Sequence, residues 1–223
     1  MSGTFEAIIF DLDGTLIDSA PGILQSFTVA FGRFGITPRQ PWSTALIGPP
    51  LLEIISQQCG SQDAILLAWI KAAFIDNYDS RGYLFSTPYS GVQAMLEELS
   101  NKNVRLYIAT NKRIKPTQYI LRHLGWDSKF QGVFGIDSIA TLQPPKKSAV
   151  IGQICSQFKL SLEHTLYVGD RYEDYQAATG AGVHFALAAW GFGETEHLLP
   201  PDTLKINCAE TLCNQITNDA SGI

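Results

Sequence analysis

A short apolar and β-branched run, Phe5 to Phe10, leads without a break into Asp11-Leu12-Asp13-Gly14-Thr15. Such a run predicts a buried strand, and Gly-Thr ends it. Side chains two apart on an extended segment point the same way, so Asp11 and Asp13 can face one site. That site is the carboxyl end of the strand, where open parallel α/β sheets bind their ligands. Two neighbouring carboxylates repel, which favours a bound cation or a shared proton. An isolated Asp-x-Asp-Gly also suits a solvated turn. The hydrophobic strand in front makes this stretch more specific than that.

The rest of the chain divides in two. From Leu16 to about Phe85 the apolar spacing is helical, with helices expected over 20–34, 51–58 and 65–78 and no strand. After Pro88 the pattern alternates. Helices are expected over 91–102, 116–124, 147–158, 172–179 and 209–216, and strands over 104–109, 133–136, 165–168 and 182–187. Alternation at this spacing implies a doubly wound parallel sheet. The expected organisation is an α/β core from residues 1–16 and 87–223, with residues 17–86 inserted as an all-helical unit.

Further signals fall at strand ends. The strand over 104–109 runs into Thr110-Asn111-Lys112, where a hydroxyl, an amide and free N–H groups can cradle an anion. Turn chemistry alone would also produce Thr-Asn. Lys146 and Lys147 open the next helix but one, an end where the helix dipole disfavours lysine. At about 100° per residue, Lys147 is in phase with Val150, Ile151, Ile154 and Cys155, and Lys146 points away. Lastly, Val168-Gly169-Asp170 ends a strand and Asp174 falls in the first turn of the following helix. Asp11, Asp13 and Asp170 together form an oxygen-rich set suited to Mg²⁺.

In this order and spacing the signals resemble the four motifs of the haloacid-dehalogenase-like (HAD) superfamily, over the chain from Phe5 to about Leu199. The detail is similar to its phosphoglycolate-phosphatase-like group, through Ile47-Gly48-Pro49-Pro50-Leu51, Tyr89-Ser90-Gly91 and Trp190-Gly191-Phe192-Gly193. Two departures are the loop Leu142-Gln143-Pro144-Pro145-Lys146 and the large Tyr172. The resemblance implies a Rossmann-like core with a helical cap, and a phosphatase acting on a small phosphorylated metabolite such as phosphoglycolate or a nucleoside monophosphate. It implies Asp11 as nucleophile, Asp13 as general acid and base, and Thr110, Asn111 and Lys147 as phosphoryl-binding groups. Mg²⁺ would be held by Asp11, the Asp13 carbonyl and Asp170, with Asp174 behind them. Arg33, Arg81 and Lys112 are candidate cations for an anionic substrate. A sugar-phosphate mutase would share every motif. A non-catalytic phospho-ligand-binding protein and a receiver domain also use clustered Asp, Thr and Lys, but a receiver domain is about half as long and carries its phosphorylated Asp on an internal strand.

Composition narrows the partners. Of 223 residues, 17% are charged, and the net charge of −5 comes without a basic run, which argues against nucleic acid. Apolar stretches stop well short of a membrane span, and no signal-peptide pattern precedes the first strand. Cys59, Cys155, Cys208 and Cys213 lack metal-ligand spacing, so reduced thiols in the cytoplasm are expected. The four histidines share no spacing. A monomer or weak homodimer is expected.

Overall fold

The computed structural model describes residues 5–139, 146–193 and 196–216. The loop Leu142-Gln143-Pro144-Pro145-Lys146 lies outside them except for Lys146. Strand β1 (Ala7–Phe10) is followed by β2 (Ile17–Asp18) and helices α1 (Ala20–Gly32), α2 (Leu51–Cys59) and α3 (Ala64–Ser80). Then come β3 (Thr87–Pro88), α4 (Val92–Asn101), β4 (Arg105–Thr110), α5 (Ile114–His123) and β5 (Gly132–Gly135). The chain continues as α6 (Lys147–Gln157), β6 (Thr165–Gly169), α7 (Tyr172–Ala181), β7 (His184–Ala188), β8 (Leu204–Ile206) and α8 (Leu212–Ile216).

Six strands form one parallel sheet in the order β5-β4-β1-β6-β7-β8. The chain winds one way from β1 through β4 to β5, and the other way from β6 through β7 to β8. The order reverses between β1 and β6, which opens a crevice at their carboxyl ends. Strand alternation sorts the core onto two faces. Ile8 and Phe10 pack with Val92, Met95, Leu96 and Leu99 of α4, while Ala7 and Ile9 pack with Val150, Ile151 and Ile154 of α6. Both faces are covered, so β1 is buried at every residue, as befits a central parallel strand.

Helices α1, α2 and α3 enclose a third apolar cluster around Phe27, Phe31, Ile55, Ile70 and Phe74. The Asp63 carboxylate caps the start of α3 by accepting from the N–H groups of Ile65 and Leu66. The two connections between this segment and the sheet pair as an antiparallel ribbon, Ile17 with Pro88 and Asp18 with Thr87. That ribbon departs from the expected absence of a strand after Leu16. Two-residue strands carry no period that a sequence pattern could reveal. Strand β8, three residues long, is likewise too short to show a period, and the helix expected over 209–216 opens as a 3₁₀ turn, Ala209–Thr211. Among the described residues no helix is long and apolar enough to cross a membrane.

Candidate active site

Strands β1 and β6 run parallel with Phe10 beside Val168, so the residues that follow them emerge together. Asp11 donates its N–H to the Val168 carbonyl at 2.9 Å. The Asp170 carboxylate accepts from the Phe192 N–H at 2.8 Å and the Thr15 hydroxyl at 3.3 Å. Asp174, in the first turn of α7, folds back and accepts from the N–H groups of Asp170 (3.1 Å) and Arg171 (3.0 Å). These donors at the helix start have no partner inside the helix, so the carboxylate both satisfies them and shapes the turn. Each of Asp11, Asp170 and Asp174 can place an oxygen within 4.8 Å of the others, and all three are buried. The approach is close because two glycines permit it. A Cβ at Gly14, whose φ is +86°, would overlap the Asp170 carboxylate, and one at Gly191 would overlap its stem.

Two of these three carboxylates contact one buried ammonium. Lys147 Nζ stands 3.0 Å from Asp11 Oδ1 and 2.6 Å from Asp174 Oδ1, while Lys146 is exposed. Burial disfavours the charged Lys147, but the attraction of Asp11 and Asp174 outweighs it and holds the proton more firmly than usual. One cation does not balance the set. Burial, then the charges of Asp174 and Asp13, push the Asp11 carboxyl up to about 6 against the pull of Lys147. Burial, then Asp174 and Asp11, push Asp170 up to about 8. An all-oxygen donor set that is short of positive charge fits a hard divalent cation.

Asp13 faces elsewhere. Its carboxylate accepts from Ser19 Oγ at 2.5 Å and pairs with Lys112 Nζ at 2.9 Å. Its side chain therefore stands apart from the carboxylate trio, on the side of the helical segment. Thr110 ends β4 almost fully buried, and its hydroxyl accepts the Lys112 N–H at 3.2 Å. Asn111 is exposed in the loop that follows. Of the three candidate cations, Lys112 alone reaches the acids. Arg33 pairs with Asp76 on the outside of the helical segment at 2.9 Å, and Arg81 is exposed.

The structure adds residues to which sequence reasoning assigned no part. Ser19 holds Asp13, Thr15 holds Asp170, and Trp190 Nε1 fixes the intervening turn by donating to the Thr15 carbonyl at 2.9 Å. Arg113, next to Lys112, forms a two-pronged ion pair with Asp79 of α3. Tyr78, also on α3, lies under Lys112 with its ring centroid 4.6 Å from Nζ. No sequence period marks such contacts, because they depend on how the helical segment folds back onto the sheet.

Comparison with known proteins bears on this arrangement. The profile of the family described as haloacid dehalogenase-like hydrolase matches residues 8–188. Tyrosine-protein kinase PtkA of Mycobacterium tuberculosis is 29% identical over 211 residues, covering 93% of this chain and 70% of that protein. Its solved structure superposes with a TM-score of 0.80 at 27% identity, covering 97% of this chain and 100% of the other. A 5'-nucleotidase of Pseudomonas aeruginosa is 33% identical over 196 residues, with 86% of each chain covered. A phosphoglycolate phosphatase of Xylella fastidiosa is 31% identical over 192 residues, covering 85% of this chain and 82% of that one.

Proposed function

The chain belongs to the haloacid dehalogenase-like hydrolases, and on that premise we propose that it is a Mg²⁺-dependent phosphomonoesterase working through an aspartyl-phosphate. The observation that carries the reading is the division of labour between two acids two residues apart. Asp11 lies among buried carboxylates against Lys147, and Asp13 is turned away onto Ser19 and Lys112. In this reading one attacks phosphorus and the other moves a proton.

In the first half-reaction an Asp11 oxygen attacks phosphorus and the bond to the ester oxygen breaks. Asp13 gives its proton to that oxygen, so the product leaves as an alcohol. In the second, Asp13 takes a proton from water as the water attacks phosphorus, releasing phosphate and restoring Asp11. Thr110 Oγ1, the Asn111 N–H and Lys147 hold the phosphoryl oxygens as charge spreads over them. Asp174 orients Lys147 through their 2.6 Å contact. Mg²⁺ held by Asp11, Asp170 and the Asp13 carbonyl would offset the repulsion between nucleophile and phosphate.

Residues 17–86 act as a cap in this reading, supported by their own apolar cluster and by the ribbon of β2 and β3 at their base. Closing the cap excludes water and selects a small leaving group. The substrate is a small phosphorylated metabolite, a phosphoglycolate or nucleoside-monophosphate type of ester. A cytoplasmic setting belongs to this reading, in line with four cysteines that form no disulfide among the described residues.

The relative named a tyrosine-protein kinase matches over nearly the whole chain and favours one second reading, transfer of the phosphoryl group to an acceptor other than water. The test is turnover of p-nitrophenyl phosphate with and without Mg²⁺, with inorganic phosphate measured as product. Hydrolysis requires nitrophenol and phosphate in equal amounts. Absence of turnover with Mg²⁺ present would overturn the reading, and nitrophenol without phosphate would favour transfer.

A further inference from the structure

One residue of the turn that carries Asp170 reaches across to the helical segment. Arg171 follows Asp170 and precedes α7. Its N–H donates to the Asp174 carboxylate at 3.0 Å, and its carbonyl accepts from the N–H groups of Asp174 and Tyr175. Its backbone is therefore fixed by the same contacts that shape the carboxylate trio. Its side chain leaves the turn, and Nη2 donates to the Thr44 carbonyl at 3.3 Å. That carbonyl also accepts the Ile47 N–H at 3.0 Å. Arg113, which pairs with Asp79 of α3, follows β4 as Arg171 follows β6. Strands β4 and β6 flank β1, so an arginine ties the helical segment down on either side of the strand that leads to Asp11.

The loop that Arg171 grips is shaped for it. A Cβ on Gly48 would stand 3.0 Å from Arg171 Nε and 3.2 Å from Cζ, so the guanidinium lies directly against the Gly48 backbone. The Gly48 φ of +130° is one that side chains rarely adopt. Pro49 and Pro50 follow, with fixed φ and no N–H, and lead the chain stiffly into α2. Ile47 is buried in the apolar cluster of α1, α2 and α3. Residues 44–48 are thus a rigid projection of the helical segment, and what holds them holds that segment. We propose that Arg171 is a positioning residue, a latch that keeps residues 44–48, and with them the helical segment, against the turn of Asp170 and Asp174. In the phosphomonoesterase reading the latched position is the closed cap. The effect on turnover rests on that reading, whereas the contact itself does not.

The test uses Arg171→Met, which keeps the stem and removes the donors. Amide hydrogen exchange at Ile47 rises about tenfold in this variant, the scale of one hydrogen bond from a charged donor, while exchange in β1 stays as in wild type. The Arg171 side chain takes no part in attack or proton transfer. With p-nitrophenyl phosphate its loss therefore raises KM by about the same factor and leaves kcat unchanged, because a loosened cap holds the ester less often. Arg171→Lys, which keeps a cation for the Thr44 carbonyl, restores most of both. Gly48→Ala crowds the guanidinium from the loop side, so it raises KM more in wild type than in Arg171→Met. Unchanged exchange at Ile47, a fall in kcat at constant KM, or equal effects of Gly48→Ala in both backgrounds would overturn the latch. Failure of wild-type protein to hydrolyse p-nitrophenyl phosphate would instead remove the phosphatase reading and leave the exchange result standing.

Discussion

The ammonium of Lys147 touches two carboxylates at once, 2.6 Å from Asp174 and 3.0 Å from Asp11. The first contact fixes the lysine, and in the proposed mechanism the second aims it at the attacking oxygen. Lys147→Ala leaves Asp11, Asp170 and Asp174 without their buried cation and the phosphoryl group without a donor. A fall of about 10²–10³ in kcat is expected, the scale of losing one pre-aimed donor. Lys146 is exposed, so Lys146→Ala is expected to cost less than about 0.5 kcal/mol of stability and little activity. Steady-state kinetics on both variants decide the matter, and the reverse pattern of damage would move the role to Lys146.

Asp13→Asn separates proton transfer from attack. Without the proton donor, an alkyl phosphate loses about 10²–10⁴ in the phosphorylation step. An aryl phosphate, whose phenolate leaves unaided, loses far less. Single-turnover measurements on both ester classes check this, and equal damage to both would count against Asp13 as the acid.

The positions of Asp11 and Asp13 are legible in the sequence because both follow one strand whose apolar run is unmistakable. Asp170 is legible for the same reason, and the inward turn of Lys147 follows from its phase with Val150 and Ile154. The parallel sheet emerges from the alternation after Pro88. The ribbon Ile17–Asp18 with Thr87–Pro88 does not, since pairs of residues show no period. Ser19 and Tyr78 gain their places only when the helical segment folds back. A serine in a turn and a tyrosine on an amphipathic helix carry no mark of that in their neighbours.

The carboxylate trio predicts a pH dependence that Mg²⁺ diminishes. Asp170 is raised from 3.8 to about 8 and Asp11 to about 6, so the folded chain holds these protons more tightly than the unfolded one. That contribution to stability is fully present below pH 3.8 and is lost as pH rises through about 6 and about 8. Asp170→Asn removes its share of the titration. Without metal, the Tm advantage of Asp170→Asn over wild type therefore grows across this window, and Mg²⁺ shrinks it at the alkaline end. Thermal unfolding at a series of pH values measures the gap, and a gap independent of pH would contradict the electrostatic account.

Arg113 and Asp79 join the sheet side to α3 through two contacts, with side chains 29% and 12% exposed. Exposed pairs contribute up to about 1 kcal/mol, and a two-pronged, partly buried pair is expected to exceed that. A double-mutant cycle with Arg113→Met and Asp79→Asn, read by denaturant unfolding, gives the coupling. A value near zero would mean that the pair does not hold the helical segment against the sheet.

The central claim is that Asp11 accepts the phosphoryl group. Protein quenched during turnover of p-nitrophenyl phosphate and digested for mass spectrometry should carry one phosphoryl group on the peptide containing Asp11. Asp11→Asn should carry none and lose turnover while keeping its fold. A phosphoryl group trapped on another residue, or turnover of Asp11→Asn near that of wild type, would contradict the account.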